Sequence, residues 1–351
     1  MRTTFIFNLA PKYNLDLIFN LDQIPLSKFI IGDIYKGVKS INTDELKSKT
    51  SIVKNLWLFK EFYIQLIPIK MIPKQGKVVM TGDFYCITNW ILLFYFKLKK
   101  IEVHLWTHGL YGNEGMIKFF LKKIFYNLSD GLFLYSERAF KLMSSKGYNQ
   151  NKMLVVYNSL NSPITKVLTK VKLFDNDLPV VFYLGRITHT KKINSLLESF
   201  YEINKQEKKF NLFIIGDVID NSINLNSVKN GALAGNFLHK GGIYDELELA
   251  SYFTSVDLAV VPGDIGLFLL HCLTYNLPVV THDDIPLHGP EIELLEDGVN
   301  GLFYKSNDQN SLKNTIIKGL SMKFKSKGKN FKKYNAKNQY KIIKSFLNKT
   351  N

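Results

Sequence analysis

The sequence predicts an α/β protein of two Rossmann-like domains, each built on a parallel β-sheet with flanking helices. Its 351 residues exceed the length at which one hydrophobic core stops growing, which favours two domains. Short runs rich in β-branched residues alternate with longer helical patterns in two separate segments, as in βαβ units. Between these segments the composition shifts to Asn, Ser, Pro, Lys and Thr, which predicts a linker over 161–178.

The first domain, 1–160, alternates regularly from residue 78 onward. Its predicted strands are Val78–Met80, Glu102–Trp106, Leu132–Tyr135 and Met153–Val156. Its predicted helices are Ile87–Leu98, Met116–Leu128 and Glu137–Lys146. Before Lys77, Asn8–Pro11 and Leu21–Asp33 contain strand-like pieces without clean periodicity, so no order of elements is predicted there.

The second domain, 179–325, restarts the same alternation. Its predicted strands are Val180–Leu184, Leu212–Ile215, Phe237–Leu238, Leu258–Val261 and Pro278–Val280. Its predicted helices are Ile193–Asn204, Asp245–Phe253 and Ile265–Tyr275. Open sheets of this type bind ligands beyond the carboxyl ends of their strands, so two such domains facing each other would enclose a cleft.

The net charge of +16 is concentrated in the C-terminal segment, which includes a predicted basic helix over 326–351. Twelve lysines and no acidic residue lie between Gln309 and Asn351. Because no nucleic-acid reading module is recognisable, the lysines favour an anionic membrane surface over nucleic acid as a partner, with a merely solvated face as the alternative. An apolar helical stripe in this segment is expected to pack on the first domain; it consists of Ile342, Ile343, Phe346 and Leu347.

A second candidate membrane contact lies in the first domain. Lys118–Tyr126 is basic and aromatic at helical spacing, and Trp90–Phe96 is strongly apolar but far shorter than the roughly 20 residues that span a bilayer. The alternative is that the aromatic side chains are core and the lysines solvated. The N-terminus lacks a signal-peptide pattern, and only Cys86 and Cys272 are present, so we expect a cytoplasmic protein peripheral to the inner membrane face.

The turn after the first strand of the second domain is a candidate phosphate site. Tyr183–Lys192 places Gly185, Arg186 and Lys191 just past the strand end. Arg186 can bind a diphosphate bidentately and Lys191 as a point charge, although a basic loop of this kind is often only solvated.

A second phosphate-binding element is predicted within Pro262–Cys272. Gly263 and Gly266 would let the backbone approach a ligand, and the amides of Gly266 and Leu267 would form an anion site at the start of a helix. Asp264 complicates this anion site, because an Asp at such a position is more commonly the N-cap of the helix. His271, one turn beyond Leu267, is either a packed histidine or a ligand-facing one.

The loop Thr281–Glu293 crowds two histidines and four acidic residues together. Their spacing matches no recognised metal motif, so no metal site is predicted.

Several segments, taken in order, resemble the nucleotide-sugar half of retaining glycosyltransferases of family 4. They are YLGRITHTKK, LFIIGDV, HKGGIYDELELASYFTSVDLAVVPG, IGLFLLHCLTYNLPVVTHDD and HGPEIELLEDGVNGLFY. The segments LWTHGLYGNEG and GLFLYSERAFKLMSSKGYNQNKMLVVYNSL resemble the acceptor half less strongly. Together the similarity covers roughly residues 76–304.

The resemblance implies a GT-B fold, two Rossmann-like domains facing a central cleft, with a nucleotide diphosphate sugar as donor and no metal or other cofactor. It places Arg186 and Lys191 at the donor pyrophosphate and His108 beside the transferred sugar. Gly109 is a candidate acceptor contact. The donor-binding residues it implies are Gly185, Gly216, Ile243, Gly263, Asp264, Gly266, Leu267, His271 and Glu291.

One departure from the family is large. The family usually has two glutamates separated by seven residues, and this sequence has Gly263 and His271 in their places. The first glutamate normally holds the donor sugar and the second binds ribose hydroxyls. An imidazole can exchange one hydrogen bond with a hydroxyl, so His271 is a plausible substitute, and Asp264 is a candidate for the missing carboxylate.

The resemblance implies a metal-independent retaining glycosyltransferase, and with the basic and apolar segments it predicts action on a lipid-linked saccharide in bacterial O-antigen, capsule or other surface polysaccharide synthesis. A GT-B sugar-nucleotide epimerase would need acid and base carboxylates that the sequence does not identify. A non-catalytic nucleotide-sugar-binding subunit is the other alternative, because Gly263 and His271 replace both glutamates.

Overall fold

The computed structural model describes residues 2–35, 38, 40–59, 61–161, 169–220, 222, 223, 225–324, 328 and 331–349. The chain divides into two compact units, Met1–Ser162 with Lys333–Asn351, and Pro163–Lys332. Residues 333–351 of the C-terminal segment therefore belong to the first unit, and residues 309–332 belong to the second. Residues 162–168 of the predicted linker, and three of the tail lysines, lie outside the described residues.

The strands of the described residues are, in chain order, β1 Thr3–Phe7, β2 Ser27–Gly32, β3 Lys49–Val53, β4 Asn55–Phe59, β5 Phe62–Gln65, β6 Lys77–Thr81, β7 Glu102–Thr107, β8 Gly131–Leu134, β9 Met153–Val155, β10 Val180–Leu184, β11 Asn211–Ile215, β12 Phe237–Lys240, β13 Leu258–Val261, β14 Val279–His282 and β15 Gly301–Tyr304. The α-helices are α1 Leu15–Asp22, α2 Ile87–Leu98, α3 Met116–Asn127, α4 Glu137–Ser145, α5 Ile193–Asn204, α6 Asn226–Lys229, α7 Glu246–Phe253, α8 Leu267–Thr274, α9 Gln309–Ser321 and α10 Ala336–Lys349.

The first unit is built on a seven-stranded parallel sheet in the order β3-β2-β1-β6-β7-β8-β9. The chain begins at β1 inside the sheet and adds β2 and β3 on one side of it. It then crosses over to place β6 on the other side of β1. The point where the strand order reverses is thus between β1 and β6, which is where sheets of this type place their ligands. An antiparallel hairpin, β4–β5, is inserted between β3 and β6.

Alternate residues of these strands face two separate cores. One core contains α2 and α3 through Leu93, Phe96 and Phe125, and the other contains α1 and α10 through Leu21 and Ile343. Helices α2 and α3 therefore cover the opposite face of the sheet from α1 and α10. This arrangement of helices on both faces of a parallel sheet leaves the strands buried.

Helix α10 packs on the first unit through the apolar stripe of the C-terminal segment. Ile343 and Leu347 are buried there, and Phe346 contacts the rings of His104 and Phe133. The buried Lys77, at the start of β6, donates a hydrogen bond from its ammonium to the carbonyl of Leu347 at 2.9 Å. This cation at the C-terminal end of α10 also complements the helix dipole.

The second unit repeats the plan with six parallel strands in the order β12-β11-β10-β13-β14-β15. Its strand order reverses between β10 and β13. Three of its described elements, α6, β15 and α9, are not predicted from the sequence. For α9, the lysine-rich composition hides the apolar face of Leu312 and Ile316.

The N-terminal segment corrects the sequence interpretation. Asn8–Pro11 is not a strand but follows β1, and Leu21–Asp33 contains the end of α1 as well as β2. Strand β1 is buried along its whole length, so its residues lack the alternation that marks a half-buried strand. None of the described helices combines the length and the apolarity that crossing a membrane requires.

Candidate active site

The loops that follow β10 and β11 meet at two glycines, next to the reversal point of the second sheet. Gly185 and Gly216 have φ angles of +148° and +151°, which other residues rarely adopt. A Cβ atom on Gly216 would lie 1.9 Å from the carbonyl oxygen of Gly185. Both positions therefore require glycine, and this close backbone contact shapes the turn that carries Arg186, an exposed residue.

Gly263, the first residue after β13 and Pro262, packs against the protein's own backbone. A Cβ atom at this position would lie 1.9 Å from the carbonyl oxygen of Thr190 and 2.7 Å from the Cα of Lys191. The amide of Asp264 donates to that same Thr190 carbonyl at 3.2 Å. The sequence predicts that Gly263 lets a ligand approach the backbone. In the structure it is the Thr190–Lys191 turn that approaches this glycine, and the contact leaves no room for a glutamate side chain.

Lys191 and Asp264 bring the two loops of the reversal point together. The Lys191 ammonium donates to the main-chain oxygen of Asp264 at 2.6 Å and lies 3.4 Å from the carboxylate Oδ2. The other carboxylate oxygen, Oδ1, is buried and has no hydrogen-bond partner among the described residues. The helix-capping interpretation of Asp264 is wrong, because Gly266 is the residue at the N-cap of α8.

The start of α8 offers unpaired amides beside a buried carboxylate. Within the described ranges, the amides of Gly266 and Leu267 have no hydrogen-bond partner, as is usual for the first turn of a helix. Glu291 is buried in a short 3-10 helix, Pro290–Leu294, and its Oε2 lies 3.6 Å from where a Cβ atom of Gly266 would be. Glu291 and the first turn of α8 are therefore neighbours.

The loops after β11 and β12 are joined by a carboxylate. Asp217 Oδ1 accepts a hydrogen bond from the amide of Gly242 at 2.7 Å, and His239 bonds to the Gly216 carbonyl at 2.9 Å. Ile243 follows Gly242 and is half-buried. Gly216 and Ile243 thus lie at the ends of adjacent strands, one and two strands away from β10.

His271 lies on α8, half-buried, with its ring 5.5 Å from the ring of Phe253 on α7. Burial lowers the pKa of His271 to about 4. The imidazole is therefore neutral near pH 7, the state in which one nitrogen donates and the other accepts a hydrogen bond. Its contact with the donor stays a prediction.

The loop after β14 contains a histidine pair that the sequence analysis weighed only as a metal site. His288 accepts from the Ile265 amide at 3.0 Å and donates to the His282 carbonyl at 2.9 Å, so both of its ring nitrogens are used within the protein. The two rings stack 4.0 Å apart, and burial lowers the pKa of each to about 4. Within the part of the chain that the structure describes, no three potential ligands cluster around a metal position.

The role of His288 is therefore to hold the loop that carries Glu291 against the loop that carries Gly266. In the sequence, this loop is visible only as a group of polar residues between two apolar segments. The spacing of its histidines does not show which groups they form hydrogen bonds with.

In the first unit, His108 and Gly109 follow β7 in a loop held by a buried ion pair. The Lys122 ammonium lies 2.9 Å from Glu114 Oε1 and also donates to the Gly109 carbonyl at 3.3 Å. The Glu114 carboxylate accepts from the amides of Tyr111 and Gly112 at 2.8 and 3.0 Å. Gly109 has a φ angle of +70°, so glycine favours this turn.

The imidazole of His108 projects from this loop and is exposed. Its ring lies 4.7 Å from the ring of Tyr135 and 6.0 Å from that of Tyr111. The protein around the ring, with a smaller effect of the Lys122 charge, lowers the pKa of His108 below its ordinary value. The ring is thus a neutral hydrogen-bonding group near pH 7.

Comparisons with known proteins agree with this architecture. Residues 165–338 match the family model of glycosyl transferases group 1. An uncharacterised 41.2 kDa protein in the cps region of Klebsiella pneumoniae is 24% identical over 201 residues, 55% of this chain and 52% of its own length. Alpha-D-kanosaminyltransferase of Streptomyces kanamyceticus is 25% identical over 135 residues, 36% of this chain and 32% of its own length.

The matched stretches thus span about half and about a third of these two curated relatives. The crystal structure of Anabaena HepE in complex with UDP has the same fold, with a TM-score of 0.70, 12% identity and coverage of 99% of this chain and 100% of HepE. The chain is therefore a two-domain α/β protein with the GT-B fold, and residues 165–338 are similar to group 1 glycosyl transferases.

Proposed function

We propose that the protein is a retaining, metal-independent glycosyltransferase. It transfers a sugar from a nucleotide diphosphate sugar to a lipid-linked saccharide during synthesis of a bacterial surface polysaccharide. The observation that carries this proposal is the convergence of Arg186, Lys191 and the first turn of α8 on the reversal point of the second sheet. The relatives add support through the cps region of one and the kanosaminyltransferase name of another.

The donor diphosphate fits this position for electrostatic reasons. Arg186 is exposed on the turn after β10, and the Lys191 side chain is 25% exposed beside Asp264. The free amides at the start of α8 add the positive end of a helix dipole. Two cations and a helix N-terminus around one point suit two neighbouring phosphates, and HepE, which shares the fold, was crystallised with UDP.

These groups also explain how the reaction proceeds. The bond between the anomeric carbon and the diphosphate oxygen breaks, and negative charge develops on the leaving phosphate. Arg186, Lys191 and the Gly266 and Leu267 amides stabilise that charge in positions fixed before the reaction, which lowers the barrier. The acceptor hydroxyl oxygen bonds to the anomeric carbon on the face that the diphosphate leaves, and its proton passes to the departing phosphate.

Asp264 takes the place of the glutamate that Gly263 cannot carry. Its side chain is 37% exposed and its Oδ1 atom has no partner among the described residues, so the carboxylate has an acceptor left for a hydroxyl of the donor sugar. Its Oδ2 atom faces Lys191, which keeps the carboxylate charge partly neutralised near the diphosphate. The neutral His271 supplies a further hydrogen bond, to the ribose.

The lipid-linked acceptor and the membrane are supported by an apolar surface on the first unit. Helices α2 and α3 contain no acidic residue, and each exposes a row of large apolar side chains. Leu98 is 83% exposed and Ile117 is 79% exposed. The rows consist of Ile91, Phe94 and Leu98 on α2, and Met116, Ile117, Phe120, Leu121 and Ile124 on α3.

Exposed lysines lie at the end of α2, at Lys97, Lys99 and Lys100, and on α3, at Lys118. Exposed apolar side chains together with cations suit an anionic bilayer, in which each nearby lysine contributes about 1 kcal/mol. Lys122 is not one of these exposed lysines, because it is buried against Glu114. Helix α10 packs on the opposite face of the sheet, so we assign the membrane contact to α2 and α3 rather than to the lysine tail.

Donor use is tested by release of nucleoside diphosphate from a panel of UDP-, GDP- and dTDP-sugars, with and without membrane extract. We expect release that depends on the extract and a product with the anomeric configuration of the donor, measured by NMR. Conversion of a donor into its epimer would support the epimerase instead. Binding without turnover in every combination would indicate a non-catalytic subunit.

Membrane contact is tested by cosedimentation with vesicles of phosphatidylcholine, with and without phosphatidylglycerol. Ile117→Glu and Phe120→Glu are expected to abolish binding to the anionic vesicles. The matched control is Ile317→Glu, at a 51% exposed position on α9 of the second unit, and it should bind like the wild type. Equal binding by all four proteins would remove the surface from the proposal.

A further inference from the structure

The hairpin β4–β5 is fastened over the reversal point of the first sheet. Asn55 donates from its side-chain amide to the Asn8 carbonyl at 2.8 Å, and Gln65 donates to the Phe7 carbonyl at 2.9 Å. Both carbonyls belong to the carboxyl end of β1. The backbone N–H of Asn55 also donates to Oδ1 of Asp33, directly after β2, at 2.9 Å. The inner side of the hairpin therefore lies where open α/β sheets bind ligands.

Beneath the hairpin, two phenols converge on one carboxylate. Asp83, in the loop after β6, accepts hydrogen bonds at Oδ2 from the hydroxyls of Tyr35 and Tyr63, at 2.9 and 3.0 Å. The Tyr85 amide donates to Oδ1 at 3.0 Å. Burial, together with the nearby Asp83 charge, raises the pKa of both phenols, so they remain protonated donors. The carboxylate is thereby fixed in one orientation.

Trp57 completes an aromatic wall around this carboxylate. Its ring lies 4.9 Å from that of Tyr63 and 5.6 Å from that of Tyr35. Trp57, Tyr35 and Asp83 are half-buried rather than enclosed, so part of each meets solvent. The neighbouring Leu58 is exposed and lies on the other side of the strand from Trp57, as strand alternation requires.

We propose that Trp57, Tyr35 and Asp83 bind a sugar ring of the acceptor saccharide. A pyranose has an apolar face of C–H groups and a rim of hydroxyls. The indole of Trp57 suits the apolar face, and the preoriented Asp83 carboxylate with the Tyr35 phenol suits the hydroxyls, because binding sites combine apolar walls with a few fixed polar groups.

This inference rests on the proposed glycosyl transfer, since it supplies the acceptor side of that reaction. The face opposite Trp57 exposes Leu56 and Leu58.

The test uses the full-length protein and saturation-transfer difference NMR with a panel of methyl glycosides of common hexoses and N-acetylhexosamines. We expect at least one glycoside to receive saturation at its C–H protons. Trp57→Ala should weaken its binding about tenfold, and Trp57→Phe should retain most of it. Asp83→Asn should weaken binding as well, and Leu58→Ala is the matched control on the same strand.

UDP and GDP binding, measured on the same variants by calorimetry, separates this inference from the proposed function. Unchanged nucleotide binding together with lost glycoside binding in Trp57→Ala supports the saccharide site. Glycoside binding that survives both Trp57→Ala and Asp83→Asn, or a panel that gives no signal, overturns it. Failure of every nucleotide to bind the wild type would instead count against the donor site alone.

Discussion

The replacement Gly263→Ala tests the close packing that replaces the family glutamate. The new methyl group would lie 1.9 Å from the Thr190 carbonyl oxygen and 2.7 Å from the Lys191 Cα, both of which are backbone atoms. The Thr190–Lys191 turn would have to move by more than 1 Å to reach van der Waals distance. Overpacking of this kind lowers the free energy of unfolding by about 1–3 kcal/mol, and we expect the upper part of that range for Gly263→Ala.

For a unit of this size, such a loss corresponds to a decrease in Tm of roughly 4–12 °C. Because the same displacement moves the Lys191 ammonium from the reversal point, nucleoside diphosphate binding should weaken as well. Differential scanning fluorimetry with and without UDP or GDP measures both effects. Gly235→Ala is the matched control in the same unit, since nothing lies within 4 Å of its added Cβ. Equal Tm values and equal nucleotide shifts for the two variants would refute the reasoning.

Three further predictions address other parts of the molecule. Glu114→Gln should destabilise the protein at pH 7 but not in acid. Burial opposes ionisation of this carboxyl, but the amide of Tyr111 and the Lys122 ammonium more than offset burial and lower its pKa. The stabilisation is therefore present above the ordinary glutamate pKa and is lost as the pH falls through the lowered pKa of Glu114. The free energies of unfolding of wild type and variant, measured by urea titration, should differ at pH 7 and become equal in acid. Lys77→Met should lower the free energy of unfolding by about 1–3 kcal/mol, because the Leu347 carbonyl is left unpaired. An unchanged urea midpoint would contradict this prediction. Lys337→Met, at an exposed position, is the control. His271→Ala should weaken nucleoside diphosphate binding roughly two- to tenfold with little change in Tm, and the opposite pattern would assign the ring to packing.

Much of the fold follows from local patterns in the sequence. Helices Ile87–Leu98 and Ile193–Asn204, and strands Val180–Leu184 and Leu258–Val261, have the predicted boundaries, because apolar periodicity and strand propensity agree there. The first 76 residues could not be ordered, since β1 is uniformly buried and β2 shows little alternation. Neither strand carries the period of two that identifies a half-buried strand.

The candidate site was predictable as residue types but not as contacts. A glycine after β13 indicated a close approach, yet only the three-dimensional structure identifies the approaching group as the Thr190 carbonyl. Likewise, the two histidines of the loop after β14 were visible in the sequence, whereas the bonds of His288 to Ile265 and His282 depend on the fold. The cluster of Tyr35, Tyr63 and Asp83 joins three segments far apart in sequence, which no local pattern reveals.

The diphosphate site at the reversal point between β10 and β13 is the central claim. Its most direct test is nucleoside diphosphate release from the preferred donor by wild type and by the double variant Arg186→Ala with Lys191→Ala, alongside nucleotide binding by calorimetry. We predict that the double variant keeps its fold by circular dichroism but loses turnover, with weaker binding of the diphosphate. Turnover and affinity equal to those of the wild type would contradict the assignment.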